Sequence, residues 1–143
     1  MNVMRLVRIA ATITAVLLLT AMSCNGGSVN ADLTVSAIGV PSVECPTGAG
    51  SCVTTVDVTV ENLGTDAAGS FTVKVTFDPS QSVTVDETVA GLSAGATTTF
   101  TVSTPAGGNC FDPDCTVSVE VDDGDDVSET NEDNNEDSRT VLG

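Results

Sequence analysis

Apolar side chains return at every second position in one segment after another of this 143-residue chain, and that period limits its fold more than any other feature. Val56, Val58 and Val60 alternate with Asp57, Thr59 and Glu61. Phe71, Val73, Val75 and Phe77 alternate with Thr72, Lys74 and Thr76, and Val117, Val119 and Val121 with Ser118 and Glu120. A period of two puts alternate side chains on opposite faces of an extended backbone, so each run predicts a strand with one buried face. Beyond Ala21 no stretch repeats at the helical period. Breakers separate the runs at Pro41, 46–50, 62–69, 78–81, 91–95 and 105–113. The expectation is an all-β, antiparallel two-sheet sandwich of seven strands, near 33–40, 52–61, 69–77, 82–89, 96–103, 115–121 and 138–142.

The first residues read as an address. Residues 1–8 carry Arg5 and Arg8 and no acid, and 9–21 are largely apolar. A basic segment before a short apolar one is a secretory leader, and the run is short of the ~20 residues that span a bilayer. Leu19-Thr20-Ala21-Met22-Ser23-Cys24, followed by Asn25-Gly26-Gly27-Ser28, resembles the lipobox of bacterial lipoproteins, in which the cysteine becomes a lipidated N-terminus. Ordinary cleavage after Ala21 or Ser23, releasing a secreted protein, is the alternative. The chain has 5 cysteines, and an odd thiol is awkward in an exported protein. Lipid on Cys24 leaves Cys45, Cys52, Cys110 and Cys115, which can pair in an oxidising compartment. The expected organisation is a signal peptide over 1–23, a lipid-anchored linker over 24–31 and the sandwich over 32–143.

Composition removes several function classes. There is no His, Trp or Tyr, so no His-based catalysis, no His metal site and no Trp/Tyr carbohydrate platform. Behind the leader only Lys74 and Arg139 stand against 20 acidic residues, which argues against nucleic acid as a partner. A serine here lacks its usual base, and the acids cluster on a polar loop rather than in an apolar cleft that would raise their pKa values. The chain is not expected to be an enzyme.

Three segments, in order, carry a family resemblance: Val60-Glu61-Asn62-Leu63-Gly64-Thr65-Asp66-Ala67-Ala68-Gly69-Ser70-Phe71-Thr72-Val73, Val89-Ala90-Gly91-Leu92-Ser93-Ala94-Gly95-Ala96-Thr97, and Val121-Asp122 through Val127-Ser128-Glu129-Thr130-Asn131-Glu132-Asp133-Asn134-Asn135. The chain resembles CARDB, the cell-adhesion-related domain found in bacteria, over roughly 31–142. The resemblance implies an immunoglobulin-like sandwich of seven strands, a surface or envelope setting and no catalytic residues. The glycines suit it: Asn62, Gly64 and Gly69 bracket one turn and Gly91 and Gly95 another, positions where Gly or Asn accepts a positive φ.

If strand 33–40 runs upward, loops 41–51 and 104–114 both lie at the top, and each holds two cysteines. Local pairs, Cys45–Cys52 and Cys110–Cys115, are the economical connectivity, adding roughly 2–2.5 kcal/mol each. Inter-sheet bridging, Cys52–Cys115 with Cys45–Cys110, is the rival, at roughly 4 kcal/mol per long loop. A zinc site made of the four cysteines suits an oxidising compartment poorly.

Residues 120–137 hold half of the 20 acids and no base, and by the same count lie at the bottom, beside the start of strand 33–40. Ca²⁺ takes 6–8 oxygens, and Asp125, Asp126, Glu129 and Asp133 are the first candidates to supply them on loop 122–137. A solvated loop capping its own backbone is the plainer reading, and high-salt adaptation fits either. No cofactor is required. Two function classes follow: a non-catalytic, membrane-tethered binding or adhesion-type module meeting an envelope protein or polysaccharide, or a structural acidic envelope protein without a specific ligand. Apolar exposure near Phe111 and Pro113 would favour the first, and a uniformly polar exterior the second.

Overall fold

The structure, a computed structural model, describes residues 30–46, 49–78 and 83–143. Signal peptide, Cys24 and the linker to residue 29 lie outside the described residues. Eight strands are present among them: β1 (Leu33–Ile38), β2 (Ser42–Glu44), β3 (Val53–Asn62), β4 (Phe71–Asp78), β5 (Val83–Val89), β6 (Thr97–Ser103), β7 (Cys115–Val121) and β8 (Glu136–Val141). The only helical piece described is a single 3-10 turn, Ala49–Ser51.

All strand pairings are antiparallel. In one sheet β3 is central, with β6 on one side and β1 and β2 sharing the other. The second sheet runs β5–β4–β7–β8. The alternating valines meet between the sheets: Val58 and Val60 of β3 and Leu33 of β1 face Phe71, Val73, Val75, Phe77, Val117 and Val119, all essentially removed from water. Each such side chain contributes about 1.5–3 kcal/mol on burial. The outer faces carry the intervening polar residues, and several pair across strands: Thr59 with Thr99 at 2.8 Å, Thr116 with Thr140 at 2.9 Å and Ser42 with Thr55 at 2.9 Å.

The expectation of seven strands is one short. The run 33–40 ends at Ile38, after a register shift between Val35 and Ala37, and the chain then returns to β3 as β2. Three residues between Pro41 and Pro46 have too little period to be seen in sequence. Strand 138–142 begins earlier, at Glu136, because Glu136 and Asp137 pair with Glu120 and Val119.

The first turn differs in its cause. Gly91 (φ 153°) and Gly95 (φ 66°) adopt positive φ as expected, but Asn62, Gly64 and Gly69 do not. Asn62 acts through its side chain, which is fully buried. Its Oδ1 accepts from the N–H of Asp32 (3.2 Å) and Gly64 (3.0 Å). Its Nδ2 donates to the carbonyls of Asp66 (2.9 Å) and Leu92 (3.0 Å). Gly64 is set by close approach: a Cβ there would stand 2.0 Å from the Asn30 carbonyl oxygen.

Candidate functional site

Two ends of the sandwich carry the residues that the sequence singles out. At the bottom, the β7–β8 connection packs against the start of β1. The Thr130 N–H donates to the Ala31 carbonyl at 2.9 Å, Thr34 Oγ1 to the Asn134 carbonyl at 3.0 Å and Asn134 Nδ2 to Asp32 Oδ1 at 2.8 Å. The backbone N–H of Leu33 donates to Glu129 Oε2, and Asn135 Nδ2 donates to Oε1 at 2.9 Å. Burial pushes the Glu129 carboxyl above the usual glutamate value, partly offset by those two bonds.

Asp122 is buried too, at positive φ (57°). Its carboxylate accepts from the N–H of Asp126 at 3.0 Å and Val127 at 2.9 Å, so it caps the loop and seats Val127 in the core. Asp125, also at positive φ (53°), closes the turn by donating its N–H to the Asp122 carbonyl at 2.9 Å. Beside it lies an open acidic cleft of about 500 Å³, lined by Glu120, Asp122, Asp123, Asp125, Glu132 and Asp133 among others.

The four residues put forward for Ca²⁺ are not brought together. Asp125, Asp126 and Asp133 are exposed, whereas Glu129 turns inward to the β1 backbone. Among the described residues no three acidic or cysteine side chains are placed to hold a metal ion. The physical reason is competition: backbone N–H groups and Asn135 already occupy the oxygens of the two carboxylates that face the protein.

Lys74 sits at the upper lip of this region, on the outer face of β4. Its Nζ donates to Glu120 Oε2 at 2.6 Å and to Asp123 Oδ1. Those bonds, Asp123 first and Glu120 second, hold the lysine well above its usual value. The bond to Lys74 is also the main cause holding Asp123 below the aspartate range. With Lys74 so engaged, and Arg139 donating from Nη1 to the Ile38 carbonyl at 2.9 Å, both bases among the described residues serve the fold. Sequence reasoning placed Lys74 mid-strand but missed this pairing, which the opposition of Lys74 to Glu120 in register produces.

At the top, the structure has the local disulfides, Cys45–Cys52 and Cys110–Cys115. Cys52, Cys110 and Cys115 are buried, and Thr54 Oγ1 accepts from the Cys110 N–H at 2.9 Å and donates to the Gly108 carbonyl at 3.0 Å. Phe111 packs against the core rather than forming an exposed patch. The large apolar side chains open to water at this end are Val40 (63% exposed) and Leu142 (78%), beyond the point where Arg139 ties β8 to β1. The Gly143 N–H donates to Asp114 Oδ1 at 3.2 Å, which leans the chain end onto loop 110–114.

Comparison with known proteins gives a consistent result. The CARDB family model matches residues 30–139. A CARDB domain of a Pyrococcus furiosus protein, crystallised in complex with di-metal ions, superposes with a TM-score of 0.56 at 24% identity, covering 79% of this chain and 93% of that one. A domain of a proposed cell surface protein from Methanosarcina acetivorans, solved in solution, superposes with a TM-score of 0.57 at 25% identity, covering 79% and 91%. No curated protein matches the sequence. No helix among the described residues is long and apolar enough to cross a membrane.

Proposed function

This chain belongs to the CARDB family, and from that membership we propose that it is a non-catalytic binding module of the cell exterior, exported behind residues 1–23 and tethered by lipid on Cys24. Both disulfides support export, since such bonds persist in oxidising compartments. The Methanosarcina relative, a domain of a proposed cell surface protein, supports the same setting. The partner is an envelope protein or polysaccharide. The observation that carries the binding reading is Val40 and Leu142, exposed at the disulfide end of a molecule whose outer sheet faces carry mainly threonine, serine and charged residues. The other end, carrying the acidic loop, lies where the linker enters and so faces the membrane.

Two measurements test this. The full chain, produced in an exporting host fed a labelled fatty acid, should carry label and sediment with membranes, whereas Cys24→Ser should lose both. An unlabelled, freely soluble wild type overturns the tether. For the binding face, Val40→Asp combined with Leu142→Asp should lower retention on purified envelope material by about tenfold, the effect of roughly 1.4 kcal/mol, with the melting midpoint unchanged. Equal retention would instead favour the structural acidic envelope protein without a specific ligand.

A further inference from the structure

The free edges of this sandwich are guarded unequally. A strand added beside β5 would have to enclose Glu87, which pairs in register with buried Val73 and so shares the inward face of β5. Beside β8 it would meet Asp137 and Arg139, opposite buried Val119 and Val117. The edge shared by β1 and β2 is broken by the register shift after Val35, by Pro41 and by the Cys45–Cys52 closure. β6 has none of these devices. Its seven residues, Thr-Thr-Thr-Phe-Thr-Val-Ser, carry no charge and no proline, and run in unbroken register along β3 from Glu61↔Thr97 to Thr55↔Ser103.

The bonds at its two ends show which way its backbone faces. The Asn62 N–H donates to the Ala96 carbonyl at 3.0 Å, and the Thr104 N–H to the Thr54 carbonyl at 2.9 Å. Antiparallel pairing alternates, so 98, 100 and 102 also bond to β3. Thr97, Thr99, Thr101 and Ser103 therefore turn their N–H and C=O groups to the open side, where no described residue pairs with them.

We propose that β6 is the surface on which a second copy of this chain docks, strand to strand and antiparallel, about a two-fold axis through Phe100. The strand is self-complementary about that point. Thr97 meets the partner's Ser103 and Thr99 the partner's Thr101, all through open backbone groups, extending outward the hydroxyl ladder begun by Thr59 and Thr99. Thr98 meets the partner's Val102, and the two Phe100 rings meet in the non-hydrogen-bonded position, where side chains come closest. Phe100 is half-buried against the core, and the partner's ring covers its remaining exposure. Registers shifted by two residues in either direction leave strand ends unpaired. An isologous interface of this kind closes at two copies. It is small beside the ~1,200–2,000 Å² of a stable standard interface, so the dimer is weak and concentration-dependent. Each copy carries 20 acidic residues against 4 basic ones, so salt strengthens the association by screening the repulsion between copies.

The test uses the full chain, exported, processed and purified in mild detergent. Thr99→Cys and Thr101→Cys are made as separate proteins and oxidised singly and mixed one to one. Opposed residues stand within disulfide reach, whereas same-number residues stand diagonally, beyond about 7 Å. The mixture should give covalent dimer, and each protein alone at least about tenfold less. Sedimentation equilibrium of the wild type should show self-association that rises with NaCl. Thr101→Lys, which places its ammonium beside Asp57, should abolish it without lowering the melting midpoint. Equal cross-linking in all three samples, a wild type monomeric at millimolar concentration, or dimers unaffected by Thr101→Lys would each overturn the proposal. So would a monomer whose Thr99 and Thr101 amides resist hydrogen exchange, because residues N-terminal to Asn30 would then cover the edge.

Discussion

Asn62 and Glu129 do similar work at the bottom of the molecule, each joining segments that are distant in sequence, but they respond differently to change. Asn62 satisfies four backbone groups with one buried amide. Asn62→Ala leaves Asp32 and Gly64 without an acceptor and the Asp66 carbonyl without a donor, while the Leu92 carbonyl keeps only the Ala68 N–H, and should lower unfolding free energy by about 2–4 kcal/mol in urea titration. Glu129 is a titrating link. Its folded pKa lies above the unfolded one, so the folded state binds the proton more readily. Its contribution to stability is therefore full at acid pH and is lost as pH rises through the raised value. Glu129→Gln mimics the protonated form, and its introduced amide can donate to Asn135 Oδ1, a buried oxygen without a partner in the structure, once that side chain turns over. In denaturation followed against pH, this variant should lose the wild type's dependence in that window and match or exceed its stability at neutral pH. Glu129→Ala strands the Leu33 N–H and should cost about 1–3 kcal/mol at any pH.

Loops and short strands at the top are where the chain departs most from simple alternation. β2 lies beside β3 for three residues only, and Cys45–Cys52 closes the path that returns it there. Removing either disulfide by paired Cys→Ala substitution should lower unfolding free energy by about 2–2.5 kcal/mol, as expected for short closed loops, against about 4 for a long one. Cys110 and Cys115, both fully buried, should add a cavity penalty to that figure, so the second pair is the more costly loss. Thermal unfolding of the two double variants under oxidising conditions separates them. The long strands were legible because Val, Thr and Phe at period two allow few other conformations. β2 was not, since three residues between two prolines look like any other turn.

For the molecule as a whole, the sequence revealed the layering and which end holds which loop, because strand parity settles both. It did not reveal what the acidic loop does. Which carboxylates turn inward depends on the positive φ of Asp122 and Asp125 and on N–H groups of β1 nearly a hundred residues earlier, none of which has a local signature. Nor did Asn62 declare itself, since an asparagine before a glycine suggests a turn conformation rather than a buried hub. That long reach also bears on time. Leu33 is held by Glu129, Asp32 by Asn134 and Ile38 by Arg139, at sequence separations of 96, 102 and 101. A chain made from its N-terminus presents β1 early, yet the residues that latch it follow about a hundred positions later. Contacts this distant belong to folds that mature in milliseconds to seconds rather than microseconds. Until residues 129–139 have followed, the opening strand lacks all three latches and rests on its pairing with β3 and its packing against β7, so the seam that closes last is the one beside β1.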